Sequence, residues 1–133
     1  MNNEVAAQST GQILRGIGDS IHGVPDTDFL RAMKELPQRM AARLAFMSGE
    51  HHMVRDFVVR EMPRQSRPIS ADAISRILGL SLKRVNELLG ELEMHLFFLV
   101  RDRKGNVTWA FPVTTSHTEH RLTFSTGEVT FGA

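Results

Sequence analysis

Apolar and polar positions follow two different periods along this chain, which separate a helical stretch from an extended one. Between residues 50 and 95 the apolar positions recur every three or four residues, as on helices that bury one face. From residue 96 onward they form short runs with β-branched and aromatic residues, which favours strands. The pattern therefore predicts an α+β chain.

Two short helices joined by a glycine turn are predicted in the middle of the chain. Ser70 and Ser81 each stand directly before an apolar stripe, where a serine side chain accepts a backbone N–H of the first turn. Gly79 is expected to end the first helix, because glycine adopts the left-handed conformation without a steric penalty. The stripes predicted to be buried are Ala73, Ile74, Ile77 and Leu78 on the first helix and Val85, Leu88, Leu89 and Leu92 on the second.

A hairpin is predicted after these helices, with strands over residues 96–100 and 107–113 and turn residues at 103–106. A helix over residues 50–62, closed by Pro63, precedes them. Three helices followed by a hairpin are the ingredients of a winged helix-turn-helix. The side chains of that first helix predicted to be buried are Met53, Val54, Phe57 and Val58.

Residues 1–49 are predicted to form a helical extension in front of a winged-helix-like domain at residues 50–133. One helix is predicted over residues 10–21, where two glycines weaken an otherwise helical apolar spacing. A second helix is expected to begin with Asp26 as its cap, and a third to carry Pro37 in its first turn.

A second β-hairpin is predicted at the C-terminal end of the chain. Residues 120–124 and 128–131 have strand character and flank turn residues that include Gly127. The predicted fold class is therefore α+β, with a winged helix-turn-helix core, an N-terminal helical extension and a C-terminal β-hairpin.

Composition and charge exclude several classes of protein. The 133 residues carry 16 Lys and Arg against 15 Asp and Glu, and a net charge of +1 does not make a polycation. The apolar runs are shorter than the ~20 residues of a membrane span and no signal peptide is recognisable, so we expect a cytoplasmic protein without a membrane partner. Cysteine is absent, which excludes disulfides, thiolate metal sites and cysteine nucleophiles from these residues.

Few residues carry candidate catalytic or metal chemistry. The sequence contains no glycine-rich phosphate loop and no Gly-x-Ser-x-Gly motif, and no cofactor is predicted. His51 and His52 would point about 100° apart on a helix, so they cannot converge on one ion. We expect these two, like His117 and His120, to be solvent-exposed or locally hydrogen-bonded.

A DNA interface is the alternative function that the winged-helix pattern offers. Residues 64–104 contain eight basic and five acidic residues, a local charge of +3. In a DNA-reading winged helix the second of the two short helices enters the major groove and the hairpin contacts phosphate or the minor groove. The candidate DNA contacts are Ser81, Lys83, Arg84 and Asn86 on the helix and Arg101, Arg103 and Lys104 on the hairpin. Glu87 and Glu91, on the same exposed face as Lys83, would repel phosphate.

Short motifs between residues 67 and 122 point to a specific family. In chain order they are Arg67-Pro-Ile-Ser70, Ile77-Leu-Gly79, Arg84-Val85, Leu88-Leu89, Asp102-Arg-Lys-Gly-Asn106, Trp109 and Thr118-Glu-His-Arg-Leu122. Their order and spacing resemble those of the bacterial organomercurial lyases. The resemblance extends from about residue 50 to the C-terminus, and the first 45 residues have no counterpart in it.

The resemblance implies that this region precedes a catalytic portion, in which two cysteine thiolates grip mercury and an aspartate handles the proton that releases a hydrocarbon. It places the first of these cysteines at or directly beyond Ala133. Because soft thiolates labilise the carbon–mercury bond, we expect this chain alone to be inactive, with no catalytic or metal residue. We expect it to be the front part of a longer lyase-like protein, with its own C-terminal catalytic region as partner.

A structural role is the third prediction that the residues leave open. The apolar stripes before residue 50 exceed what one small winged helix covers. Under this alternative we expect a homodimer, or docking of the extension onto a C-terminal region.

Overall fold

The computed structural model describes residues 11–95 and 99–133, which form an α+β protein. Contacts divide the chain into two compact units, unit 1 at residues 1–45 and unit 2 at residues 46–133. The elements of unit 1 are β1 (Gln12–Ile17), β2 (Ser20–Pro25) and α1 (Asp26–Leu44). The elements of unit 2 are α2 (Gly49–Gln65), α3 (Ala71–Leu78), α4 (Leu82–Met94), β3 (Leu99–Arg101), β4 (Val107–Ala110), β5 (Val113–Thr114), β6 (Arg121–Thr123) and β7 (Val129–Gly132).

Residues 12–25 of unit 1 form a β-hairpin, so the helix predicted over residues 10–21 is wrong. β1 and β2 pair in antiparallel register, with Ile17 opposite Ser20. Gly18 lies in the two-residue turn with a φ of 60°, a conformation that favours glycine and suits the first position of a hairpin turn. Glycines at positions 16 and 18 disfavour a helix, which is why helical spacing of apolar residues did not produce one.

α1 is one continuous helix, so the separate helix predicted to begin near Pro37 is wrong. Pro37 lies inside α1, where it removes one intrahelical hydrogen bond, and the strong helix formers after it continue the helix. Asp26 is not the cap, because Pro25 holds that position without a side-chain hydrogen bond. The Asp26 carboxylate instead accepts the backbone N–H of Gly11 at 3.0 Å.

α2 extends beyond its predicted bounds at the C-terminal end. Pro63 does not close this helix but lies inside it, and Ser66 ends it in the left-handed conformation with a φ of 51°. Three of the side chains predicted to be buried are confirmed: Val54, Phe57 and Val58. Met53 is 40% exposed, so its predicted burial is wrong.

The ends and buried faces of α3 and α4 largely agree with the sequence prediction. The Ser70 hydroxyl accepts the backbone N–H of Ala73 and the Ser81 hydroxyl accepts that of Arg84, both at 3.1 Å. Gly79 ends α3 with a φ of 69°. The four side chains predicted to be buried on α4 are confirmed: Val85, Leu88, Leu89 and Leu92. On α3 only Ile74 is buried; Ala73 and Leu78 are half-buried, and Ile77 is 56% exposed, so its predicted burial is wrong.

β3 to β7 form one antiparallel sheet in the order β3-β4-β5-β7-β6. The strand predicted over residues 107–113 is interrupted at Phe111 and Pro112, because proline cannot donate a ladder hydrogen bond, and the chain turns back there. The predicted C-terminal hairpin is present as β6 and β7, and β5 joins it to β4. The first three residues of the strand predicted at 96–100 lie outside the described residues.

The core of unit 2 lies where its helices meet the sheet. Ile69, just before α3, exchanges two backbone hydrogen bonds of 2.8 and 3.0 Å with Val107 at the start of β4, which anchors the helices to the sheet. The largest side chains with essentially no exposure include Met62, Ile69, Leu88, Leu89, Leu92, Val107 and Val113. No helix in the described part of the chain is both long and apolar enough to cross a membrane.

Candidate functional site

The first turn of α4 presents the polar residues predicted to contact DNA. The Ser81 hydroxyl oxygen accepts the backbone N–H of Arg84, so it is engaged in capping α4. Lys83 and Asn86 are exposed on the following turn. The side chain of Lys83 forms no ion pair with any residue that the structure describes. This turn therefore offers one cation and one amide to a partner.

Arg84 is held by two carboxylates of its own unit. Its Nε lies 2.7 Å from Glu50 Oε2 on α2, and its Nη1 lies 3.4 Å from Glu87 Oε2 one turn along α4. The hydrogen bond with Glu50 raises the pKa of Arg84 above its ordinary value. A phosphate could bind this guanidinium only by displacing carboxylates that would then lie beside it, so Arg84 is a poor DNA contact.

Arg101 is bound by Glu93, near the end of α4, through three hydrogen bonds. Its Nε and Nη2 lie 3.0 and 2.8 Å from Glu93 Oε2, and its backbone N–H donates to Oε1 at 3.0 Å. Partial burial raises the pKa of Glu93, but the hydrogen bonds and charge of Arg101 outweigh it, so that pKa lies below its ordinary value. This pair ties β3 to α4 rather than presenting a free cation.

The turn between β3 and β4 carries the remaining predicted contacts, Arg103 and Lys104. The Asp102 carboxylate accepts the backbone N–H groups of Lys104 at 2.8 Å and Asn106 at 3.0 Å. Gly105 takes the positive φ of 82° that closes the turn. The Arg103 and Lys104 side chains are exposed and form no ion pair within residues 11–95 and 99–133.

His51 forms a polar network that the sequence analysis did not predict beyond a local hydrogen bond. Its side chain is buried, and the Ser48 backbone N–H donates to Nδ1 at 3.0 Å, which leaves the proton on Nε2. Nε2 donates to Glu91 Oε2 at 2.5 Å, and the Phe46 ring packs edge-on against the imidazole. The spacing of Ser48 and His51 is that of a capping box, which was the available signal in the sequence.

The Ser48–His51–Glu91 chain has the connectivity of a hydrolase triad but the geometry of a helix cap. The Ser48 hydroxyl lies 2.7 Å from Nδ1, yet this nitrogen already accepts the Ser48 backbone N–H. Its lone pair is therefore not free to act as a general base, and the network joins the start of α2 to α4.

The other predicted histidine pair does not form a metal site. The His117 ring packs against Phe131 with ring centroids 4.5 Å apart, and His120 uses its backbone carbonyl to accept the N–H of Gly132. In the described part of the chain, no group of three His, Asp or Glu side chains is arranged to hold a metal ion.

Comparison of the chain with protein-family models, with curated proteins and with solved structures found no match.

Proposed function

We propose that this chain is the non-catalytic front region of an organomercurial-lyase-like protein. The observation that carries the proposal is the ordered series of motifs between residues 67 and 122, all of which fall within unit 2. They occupy the helix ends, the buried face of α4, the 102–106 turn and the approach to β6.

We also infer that unit 2 is a winged helix. Three helices, α2 to α4, are followed by the β3–β4 hairpin, and Ile69 pairs with Val107 as a short third strand at its edge. The tight connection at Gly79 between α3 and α4 has the length and glycine of a helix-turn-helix. In this proposal the module supports a neighbouring catalytic region rather than reading DNA.

The proposed role of the module is to shield the mercury-binding site and to present an apolar wall to the organic group. The Ala133 backbone N–H donates to the Pro112 carbonyl at 3.0 Å. A cysteine directly beyond Ala133, as the resemblance implies, would therefore follow a residue that lies beside the turn at Phe111 and Pro112. The Phe111 side chain is 47% exposed and apolar, which suits a hydrocarbon leaving group.

Hydrocarbon release tests the part of this proposal which holds that the chain alone does not cleave the carbon–mercury bond. Phenylmercuric acetate is incubated with the chain and a free thiol, and benzene is measured by gas chromatography against buffer with the same thiol. We expect no benzene above the buffer rate, because the sequence contains no cysteine. Turnover above that rate would show that other groups replace the thiolates and would contradict the proposal.

Sequencing the gene beyond the codon for Ala133 tests the family assignment itself. A Cys-x-x-Asp motif encoded directly after that codon is the expected result. A stop codon, or an unrelated sequence without cysteine, would contradict the assignment.

DNA binding is the second candidate function, favoured by the exposed and unpaired cations of unit 2. Lys83 on α4 and Arg103 and Lys104 in the turn form no ion pair among the described residues. The hypothesis predicts salt-sensitive binding to duplex DNA that weakens in K83A/K104A, whereas R15A/K34A removes equal charge from unit 1 as a control. Equal binding by both double variants, or no binding by the unaltered chain, would exclude it.

A further inference from the structure

α1 carries an apolar stripe that the described residues of unit 1 cover only in part. No residue of this helix is buried. The large apolar side chains on α1 are exposed by 37 to 47%: Phe29, Leu30, Met33, Leu36 and Met40. Phe29, Met33, Leu36 and Met40 are spaced by four, three and four residues, which places them along one seam of the helix, as in helices that pair with another helix. Such a seam is costly in water unless a partner covers it.

The spacing of the four seam residues is symmetric about the middle of the helix. Phe29 and Met40 are equally far from the point between residues 34 and 35, and so are Met33 and Leu36. When two copies of α1 lie antiparallel about that point, each Phe29 is level with a Met40 and each Met33 with a Leu36. A self-complementary pattern is what a two-fold interface between identical chains requires, whereas a different partner has no need of it.

The charges of α1 fit the same antiparallel register. In it, Asp26 is level with Arg43 and Lys34 with Glu35 of the second copy. Arg31, which pairs with Asp28 of its own helix at 2.9 Å, is level with the neutral Gln38, so no two like charges are level. A parallel pair would instead place acidic residues beside acidic ones and basic beside basic, which is unfavourable.

We propose that α1 is a dimerisation helix that pairs antiparallel with α1 of a second copy of this chain. The two-fold axis passes beside residues 34 and 35, and the four seam residues of each copy form the interface. This inference rests on unit 1 alone and does not depend on the proposed function of unit 2.

Sedimentation equilibrium of the unaltered chain over a range of concentrations tests the oligomeric state. We expect a species of twice the 15.0 kDa chain mass. M33E/L36E places four carboxylates around the axis and should weaken the dimer by about 100-fold or more. T27E/Q38E adds the same charges to the opposite face of α1 and should remain dimeric.

A chain that stays monomeric at every concentration would overturn the proposal, and so would a dimer equally stable in M33E/L36E. A monomer is also the result expected if another part of the same chain packs against the seam, so that alternative would contradict the proposal as well. Circular dichroism of each variant shows whether its helix content is retained, so that loss of the dimer is not confused with loss of fold.

Disulfide trapping tests the antiparallel register, because the chain has no cysteine to interfere. F29C and M40C are prepared separately, mixed and oxidised, and the products are weighed by mass spectrometry. We expect the mixed disulfide between the two variants to dominate over disulfides within either one. Dominant F29C–F29C and M40C–M40C products would indicate a parallel pair and contradict the register.

Discussion

At the scale of single residues, three polar contacts between distant positions tie α4 to its neighbours. His51 and Glu91 join α2 to α4, Glu50 and Arg84 join the same helices, and Glu93 and Arg101 join α4 to β3. Contacts of this kind are strongest where burial excludes water, so the His51 and Glu93 contacts are expected to contribute more than the exposed Arg84 pair.

Replacing His51 by alanine should lower the free energy of unfolding by about 2–3 kcal/mol, because it removes a buried ring, its packing against Phe46 and two hydrogen bonds. His52 is the matched control, since it is the adjacent residue of the same helix and is exposed. H52A should change the free energy by less than about 0.5 kcal/mol. Urea unfolding at pH 7 measures both, and equal effects would contradict the structural role of His51.

The pair formed by Glu93 and Arg101 predicts a pH dependence of stability. Because the pKa of Glu93 is lower in the folded chain than its ordinary value of 4.5, the pair stabilises the fold above that value. The contribution is lost as the pH falls through the lowered pKa. E93Q should therefore destabilise the chain by about 1–2 kcal/mol at pH 7, and the difference from the unaltered chain should shrink below pH 4.5.

Glu119 supplies the control for this pH dependence, because its side chain is exposed and forms no ion pair with a described residue. E119Q should leave the unfolding free energy unchanged across the same pH range. An E93Q penalty that stayed constant down to pH 3 would show that it does not arise from the carboxylate charge.

At the scale of elements, the ends of the helices in unit 2 are set by local chemistry. Ser70 and Ser81 cap α3 and α4, and Gly79 separates the two helices with a left-handed backbone. α1 has no side-chain cap and no buried face, so its helix depends on propensity and on whatever its apolar seam packs against.

The same substitution at two glycines should have opposite effects on stability. G79A forces a left-handed φ of 69° on a residue with a side chain, although a Cβ there would meet no atom within 4 Å, and should cost about 1 kcal/mol. Gly90 lies inside α4, where a Cβ would touch only Arg101 Nη2 at 3.8 Å. G90A should stabilise the chain by about 0.5–1 kcal/mol. Chemical denaturation compares them, and two changes of the same sign would contradict this account.

At the scale of the whole molecule, the hydrophobic core belongs to unit 2. Every buried apolar side chain among the described residues lies between positions 54 and 113. Unit 1 contributes a hairpin and one helix whose apolar residues are at least partly exposed. The two units therefore differ in what keeps them folded: unit 2 has its own core, whereas residues 11–45 of unit 1 contain no buried apolar side chain.

Residues 46–133 produced alone should fold and should retain the unfolding free energy of the full chain to within about 0.5 kcal/mol, because the fragment contains the whole described core. Urea denaturation followed by the fluorescence of Trp109 measures this at equal protein concentration. A fragment that is unfolded, or much less stable than the full chain, would show that unit 1 contributes to the core of unit 2.

The sequence by itself determined α3 and α4 of unit 2 and the turns at Gly79, residues 103–106 and Gly127. The caps at Ser70 and Ser81, the stop at Gly79 and the buried face of α4 all follow from interactions between residues a few positions apart. Interactions of this kind join residues at short, fixed spacings that are visible in the sequence, which is why these features could be predicted. The hairpin of residues 12–25 was missed because two glycines and helical apolar spacing point in opposite directions there, and only pairing with a second strand decides between them.

Only the tertiary structure decided which charges of the candidate site are free. In the sequence, Arg84 and Arg101 look as available for binding as Lys83 and Lys104, yet Arg84 pairs with Glu50 on α2 and Arg101 with Glu93 on α4. The Arg84–Glu87 pair is the exception, because a spacing of three residues on one helix is visible in the sequence. The burial of His51 likewise depends on Glu91, forty residues along the chain. Hydrogen bonds between distant residues form because folding brings their elements together, and no spacing in the sequence records that event.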